Sequence, residues 1–177
     1  MDGKLDKVLL GVPHHSQFEI DDKFWMLRGC VIASLKMVLD FHGVKTPDLL
    51  SLIKEGEADG GFGPSGWYHD SIVALAEKYG LKAYREEDID LEMGVKKIVE
   101  EIENGNPVIV STPKFILDRK KFHMVVLIGF ERDDNDIKGF YFHDSESTPG
   151  LSGESQFVRI QTFKNEWRRM AIFINKK

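Results

Sequence analysis

The sequence predicts an α+β protein in which helices come first and strands follow. Amphipathic helical patterns dominate the chain up to Gly105, and short runs rich in Val, Ile and Phe, separated by turn residues, make up the rest. This segregation favours helices packed on an antiparallel sheet over an alternating βαβ sheet. With 177 residues and 42% hydrophobic content, we expect a single domain over residues 1–177 with one core.

The elements follow from periodicity and from the residues that begin and end them. Helices are expected to end at Gly43, Gly80 and Gly105, and the second helix is expected to begin with Thr46 as its cap and Pro47 at its first position. The glycine-rich stretch 56–67 predicts an irregular loop. In order, we expect a strand at 7–13, helices at 30–43, 46–56, 69–80 and 90–105, one helical turn at 162–167, and strands at 81–86, 107–113, 121–133, 139–147, 156–160 and 169–175.

Charge and composition exclude several classes of function. The 29 acidic and 24 basic residues give a net charge of −5 and are well mixed, so nucleic acid is not an expected partner. No segment approaches the roughly 18 apolar residues that a membrane span requires, and the start MDGKLDKVLLGVP lacks a stretch of signal-peptide length. A single cysteine cannot form an internal disulfide. We therefore expect a soluble, cytoplasmic protein.

That single cysteine stands at the start of the first long helix. Within WMLRGCVIASLKMVLDFHG, apolar residues recur at helical spacing after Cys30, which places the thiol in the first turn. The positive end of the helix dipole and the unpaired N–H groups there favour the thiolate. The dipole contributes only about 0.3–1 kcal/mol against about 1.36 kcal/mol per pKa unit, so a cationic partner is also expected.

His123 and Asp144 are the candidate partners of the thiol. An imidazole in the apolar strand KFHMVVLIGF is costly unless a neighbour bonds to it, and a helix packed on a sheet would bring His123 to Cys30. Asp144 ends the next apolar run and could accept a hydrogen bond from the second ring nitrogen. The order Cys, His, Asp is that of a papain-like triad.

A fourth candidate, Gln17, precedes the thiol in the segment VPHHSQ. Its side-chain amide, together with the N–H at the helix start, could bind the oxyanion of a tetrahedral intermediate. The neighbouring polar side chains could instead take this role or bond locally, namely Ser16, His14 and His15.

With these residues identified, the chain resembles the bacteriocin-leader, or double-glycine, processing branch of the papain-fold cysteine peptidases. The resemblance rests on VPHHSQ, on the tryptophan and C…ASLKMVLDFHG, on GPSGW…ALAEKYGLKA, on NGNPVIV, on HMVVLIGF and on FHDS. It implies a papain-like fold and a peptide substrate. It also implies Cys30 as nucleophile, His123 as general base and acid, Asp144 as orienting carboxylate and Gln17 as oxyanion donor, with no cofactor.

Two departures from the family pattern leave other functions open. Val31 and Ile32 follow the cysteine where the family has Gly-Pro, and Ser145 follows the aspartate where the family has proline. A β-branched Val31 is expected to narrow the approach of a substrate chain. The alternatives are an inactive binding or regulatory module with the same fold, and a thiol acyltransferase or deamidase.

Each candidate residue also has a structural interpretation. A lone cysteine or histidine can be ordinary core, and Asp144 can simply end a strand, with neighbouring His143 as its rival. Trp67 and Phe62 are expected to pack on the core more than to line a cleft. The six histidines show no spacing typical of a metal site, and the acidic stretch 131–136 predicts a hairpin turn rather than a calcium loop.

Overall fold

A sheet of seven antiparallel strands organises the molecule, for which a computed structural model describes residues 5–114, 119–148 and 152–177. The strands are β1 Leu5–Leu9, β4 Lys82–Glu86, β5 Val108–Lys114, β6 Arg119–Asp133, β7 Asp136–His143, β8 Gln156–Arg159 and β9 Ala171–Asn175, and a separate two-residue hairpin comprises β2 Phe62–Gly63 and β3 Gly66–Trp67. The helices are α1 Lys23–Met26, α2 Cys30–Phe41, α3 Leu49–Ala58, α4 His69–Lys78, α5 Leu91–Glu103 and α6 Ile160–Glu166, with a 3₁₀ turn at Gln17–Glu19.

The strand order is β4-β9-β5-β6-β7-β8, and β1 pairs with β6 beyond the end of β5. The 15-residue β6 therefore pairs with β5 and then β1 along one edge and with β7 along the other. A Cβ at Gly129 would lie 2.3 Å from the Val8 carbonyl oxygen, so the glycine allows β1 to approach. The predicted α+β class with an antiparallel sheet is confirmed.

Two hydrophobic clusters cover opposite faces of the sheet. Alternate strand residues such as Ile109 and Val126 pack with α2, α3 and α4, whereas Val110 and Val125 pack with α5 and α6. The predicted segregation of helices from strands is thus incomplete in space, because helices lie on both faces. The expectation of one domain over residues 1–177 stays a prediction.

Several predicted boundaries are corrected. The first strand ends at Leu9 rather than at Pro13. The second helix begins at Leu49 because the Asp48 side chain caps it, while Thr46 donates a hydrogen bond to Asp40 instead. The stretch 56–67 is not wholly irregular, since α3 continues to Ala58 and the β2–β3 hairpin follows.

The segment before Cys30 also has regular structure that periodicity did not predict. Ser16 caps the 3₁₀ turn, and the Asp22 carboxylate accepts hydrogen bonds from the N–H groups of Phe24 and Trp25 to cap α1. Both elements are too short to produce a hydrophobic period. They join Gln17 to Met26, the last residue of α1, through a side-chain hydrogen bond.

Among the described residues, no helix combines the length and the apolar character needed to cross a membrane. Residues 1–4 of the N-terminal stretch MDGKLDKVLLGVP lie outside the described residues.

Candidate active site

Cys30 is the first residue of α2, as the sequence predicts. Gly29 is the N-cap residue of this helix. A Cβ at Gly29 would lie 2.7 Å from Ile20 Cδ1, so the glycine allows the preceding segment to pack closely. The Trp67 indole N–H donates to the Arg28 carbonyl at 2.9 Å. The chain leading to the thiol is therefore held on both sides, and Cys30 itself stays partly exposed.

His123 lies on β6 opposite Thr112 of β5, and only 2% of it is exposed. Its Nε2 lies 2.6 Å from Asp144 Oδ1, and both side chains are buried. This contact leaves Nδ1 to interact with the thiol of Cys30, and that interaction helps raise the pKa of the ring. The structure thus brings together the cysteine, histidine and aspartate that the sequence singled out.

Asp144 directly follows β7, and the register of β6 with β7 brings it beside His123. Its Oδ1 also accepts from the Glu146 backbone N–H at 2.8 Å, and its own N–H donates to the Gly153 carbonyl. His14 Nε2 donates to the Asp144 carbonyl at 2.7 Å. The carboxylate is therefore held by its backbone as well as by its side chain.

The electrostatics of the pair favour charge separation. Burial acts to raise the pKa of the Cys30 thiol, but the hydrogen bond and positive charge of His123 and the backbone N–H of Met124 outweigh it, so that pKa is lowered. Burial acts to lower the pKa of His123, but hydrogen bonds to Asp144 and Cys30 outweigh it and raise that pKa to about 10. Both shifts favour a thiolate beside an imidazolium over the neutral pair.

Gln17 is buried in the 3₁₀ turn, and only 1% of it is exposed. Its Nε2 donates to the Met26 carbonyl at 2.7 Å, and its Oε1 accepts from the Ser145 hydroxyl at 2.7 Å. Its backbone N–H donates to the Ser145 carbonyl at 2.8 Å. Gln17 is thereby joined to the residue that follows Asp144, and sequence reasoning noticed Ser145 only as a departure from the family pattern.

The other histidines have structural partners. His143, the rival of Asp144, donates from Nε2 to the Val12 carbonyl and accepts at Nδ1 from the Ser155 N–H, and burial lowers its pKa. His15 contacts Asp40 at 2.7 Å. Both ring nitrogens of His143 are occupied, so it is unavailable for proton transfer at the thiol.

Val31 and Ile32 do not narrow the site. Val31 is 3% exposed and Ile32 is fully buried, and both belong to the cluster beneath α2. The expectation that Val31 hinders a substrate chain is therefore wrong, because its side chain packs into the core. Trp67 and Phe62 pack with Trp25, in agreement with the expected structural role.

A surface cavity of about 510 Å³ opens beside the 3₁₀ turn and α1. Its wall combines apolar and charged side chains, namely Phe18, Glu19, Ile20, Asp21, Asp22, Lys23 and Met26. Met26 joins this cavity to Gln17 through the hydrogen bond described above. In the described ranges, no cluster of three or more His, Cys, Asp or Glu side chains is arranged to hold a metal ion.

A thiol at the start of a helix packed on an antiparallel sheet, facing a strand-borne imidazole, is the arrangement of the papain-like cysteine peptidase fold. Residues 9–172 match the Peptidase_C39 like family, and the chain belongs to that family of cysteine peptidases. Its resemblance to bacteriocin-processing peptidases is thereby confirmed.

Solved structures agree on the fold. A C39-like peptidase from Bacillus anthracis is 24% identical, with a TM-score of 0.69 and coverage of 97% of this chain and 98% of that one. A double-glycine motif protease from an AMS/PCAT transporter, solved in complex with the leader peptide, is 21% identical, with a TM-score of 0.64 and coverage of 96% and 95%. The peptidase domain of Streptococcus ComA, a bifunctional ABC transporter involved in quorum sensing, is 19% identical, with a TM-score of 0.61 and coverage of 85% and 93%. No curated protein matches the chain.

Proposed function

We propose that the chain is a cysteine peptidase that hydrolyses an amide bond in a peptide, with Cys30, His123, Asp144 and Gln17 as its functional residues. One observation carries the proposal: the buried carboxylate of Asp144 lies 2.6 Å from the ring of His123, and that ring lowers the pKa of the Cys30 thiol. A nucleophilic cysteine requires a thiol of lowered pKa beside a base, whereas a histidine with a purely structural role requires no such thiol.

The chemistry follows from the charges of these groups. The Cys30 thiolate attacks the carbonyl carbon, and the carbonyl electrons move onto oxygen to form a tetrahedral oxyanion. The His123 imidazolium then gives its proton to the departing amine, which leaves a thioester on Cys30. Neutral His123 next takes a proton from water, whose attack on the thioester releases the acid and restores the thiolate. Asp144 holds the ring through Nε2 during both transfers.

Oxyanion stabilisation is assigned to Gln17 and to the backbone N–H at the start of α2. An amide nitrogen carries two hydrogens, of which the Met26 carbonyl takes one, and no described residue takes the second. We assign this remaining hydrogen to the oxyanion. Donors of this kind are worth about 10²–10³ in rate because they are fixed before the charge develops.

A peptide is the proposed substrate class. The double-glycine motif protease of similar fold is solved in complex with the leader peptide, which supports a peptide as the ligand. The cavity between the 3₁₀ turn and α1 supplies apolar and charged groups next to Gln17 for the side chains of such a peptide. Location in the cytoplasm stays a prediction.

The test is covalent capture of the acyl group. Native protein incubated with p-nitrophenyl acetate is expected to gain one acetyl group at Cys30, seen by intact mass and peptide mapping, with release of p-nitrophenolate. Cys30→Ser and His123→Ala should form little adduct. A wild-type protein that stays unmodified and releases no p-nitrophenolate, while its unfolded form reacts, would overturn the proposal and support the inactive binding module.

A further inference from the structure

We propose that Ser145 is a positioning residue, which holds the Gln17 amide in the orientation that an oxyanion donor requires. The inference rests on the proposed function. Ser145 is fully buried and contacts Gln17 twice, by its hydroxyl to Oε1 at 2.7 Å and by its carbonyl to the Gln17 backbone N–H at 2.8 Å. These two contacts join positions that lie 128 residues apart in sequence.

The contacts at the two ends of the Gln17 side-chain amide are both satisfied by a single orientation of that group. A carbonyl oxygen only accepts, so the group facing Met26 must be the NH₂ end of the amide. The Ser145 hydroxyl then donates to the oxygen end. Without that hydroxyl, Oε1 would be buried with one fewer partner, and rotation of the amide would oppose two carbonyl oxygens at Met26. Ser145 therefore restricts both the flip and the tilt of the NH₂ group.

Ser145 departs from the family pattern. The family pattern described above has proline after the aspartate, and proline has no hydroxyl to donate. Here the dipeptide that follows β7 contacts two functional residues at once, because Asp144 holds His123 and Ser145 holds Gln17. A displacement of this dipeptide would move the ring and the oxyanion donor together.

Two reagents separate the role of Ser145 from that of the thiolate. Acylation by p-nitrophenyl acetate passes through an oxyanion: sulfur bonds to the carbonyl carbon, the carbonyl electrons move to oxygen, and p-nitrophenolate leaves as they return. Methyl methanethiosulfonate forms no oxyanion at a carbonyl, because the thiolate attacks its sulfenyl sulfur and methanesulfinate leaves. Gln17→Ala should slow acylation about 100-fold and leave thiolation unchanged.

Ser145→Ala is expected to slow acylation about tenfold, the effect of one lost hydrogen bond, with the thiolation rate and its pH profile unchanged. Ser145→Thr, which retains a hydroxyl, should recover most of that loss. In the Gln17→Ala background, Ser145→Ala should change acylation by less than about twofold, because the group it positions is gone. Ser147→Ala is the matched control: its hydroxyl bonds to the Gly153 N–H, so its effect should add to that of Gln17→Ala.

If Ser145→Ala does not fold, Ser145→Pro replaces it and should show the same separation of rates. The inference is overturned if either variant acylates at the wild-type rate, slows thiolation as much as acylation, or keeps its full effect in the Gln17→Ala background. Failure of the proposed function gives a different result, since wild-type protein would then react with the thiosulfonate and not with the ester.

Discussion

The imidazole of His123 on β6 and the carboxylate of Asp144, the residue after β7, form a buried hydrogen bond of 2.6 Å. The strand register fixes this contact: Val126 pairs with His143, so the residue after β7 lies beside the β6 residues that precede Val126. The Asp144 N–H then donates to the Gly153 carbonyl. The geometry of the pair therefore depends on the sheet and on this main-chain contact with Gly153.

The first prediction concerns thiol reactivity at low pH. An ordinary thiol of pKa about 8.5 is ionised to about 0.3% at pH 6, whereas His123 lowers the pKa of Cys30. Native protein should therefore react with methyl methanethiosulfonate at pH 6 faster than the unfolded chain. In His123→Ala burial and the charge of Asp144 raise that pKa against the Met124 N–H alone, so the rate at pH 6 should fall at least about tenfold. Equal rates for the two proteins would contradict the ion pair.

The alkaline side of the profile is set by His123, whose pKa is raised to about 10. Below that value the ring carries the proton that a departing amine needs, and above it the proton is lost. With a peptide anilide as substrate, the rate of aniline release is therefore expected to rise with pH as Cys30 ionises and to fall near pH 10. A decline near pH 6.5 would show that the raised pKa is wrong.

A third prediction separates the charge of Asp144 from its geometry. His123 already carries protons on both nitrogens in the ion pair, so an acceptor at position 144 needs an oxygen more than a negative charge. Asp144→Asn, with its oxygen toward Nε2, should acylate within about tenfold of wild type, whereas Asp144→Ala should lose about 100-fold because the ring is no longer oriented. The acylation rate with p-nitrophenyl acetate measures both, and equal losses would contradict an orienting role.

His143, the last residue of β7 and the neighbour of Asp144, provides a control. Its two ring nitrogens bond to Val12 and Ser155, so His143→Phe leaves two backbone groups without this partner. The free energy of unfolding should fall by about 1–3 kcal/mol in denaturant titrations. The pH profile of thiolation should stay as in wild type, and a shifted profile would return His143 to the list of active candidates.

Val31→Gly tests whether the departure from the family pattern limits activity. Val31 is buried in the helix that carries the thiol, so removing its side chain should cost about 2–4 kcal/mol of unfolding free energy through lost packing and helix propensity. Acylation at a temperature where the variant is folded should not increase. Val73→Gly on α4, away from the thiol, is the matched control, and a faster Val31→Gly enzyme would revive the idea of steric hindrance.

Gly153 supports the backbone of Asp144 closely enough that a methyl group does not fit. A Cβ there would lie 2.0 Å from the Asp144 carbonyl oxygen, so Gly153→Ala must displace that segment. Acylation is expected to fall about tenfold or more. Gly11→Ala, where no atom lies within 4 Å of the added Cβ, should behave as wild type. A fully active Gly153→Ala would show that the position of Asp144 tolerates movement.

The sequence predicted the long elements because each leaves a periodic signal. The pattern after Cys30, the glycine endings and the Val-Ile-rich runs correspond to α2, α4, α5 and β5 to β7. Elements without a full period were missed, namely the 3₁₀ turn and α1. The predicted start of α3 was wrong because Thr46 and Asp48 are both good N-cap residues. Only the hydrogen bond that Thr46 donates to Asp40 decides between them.

The candidate site was predictable as a set of residue types, not as a set of contacts. A lone cysteine at a helix start and a histidine in an apolar strand are unusual enough to attract notice. The contacts of Gln17 with Ser145 and of His14 with Asp144 join distant parts of the chain, and no local pattern encodes them. Their catalytic roles stay predictions until the rates above are measured.

The ion pair has a consequence for how this protein can be followed in solution. Cys30 belongs to the helical layer and His123 to the sheet, and their hydrogen bond exists only while the two layers are docked. The reactivity of the chain's single thiol therefore reports native assembly without any engineered label. Measuring the thiolation rate of Cys30 at successive times during refolding would show when α2 packs against the sheet.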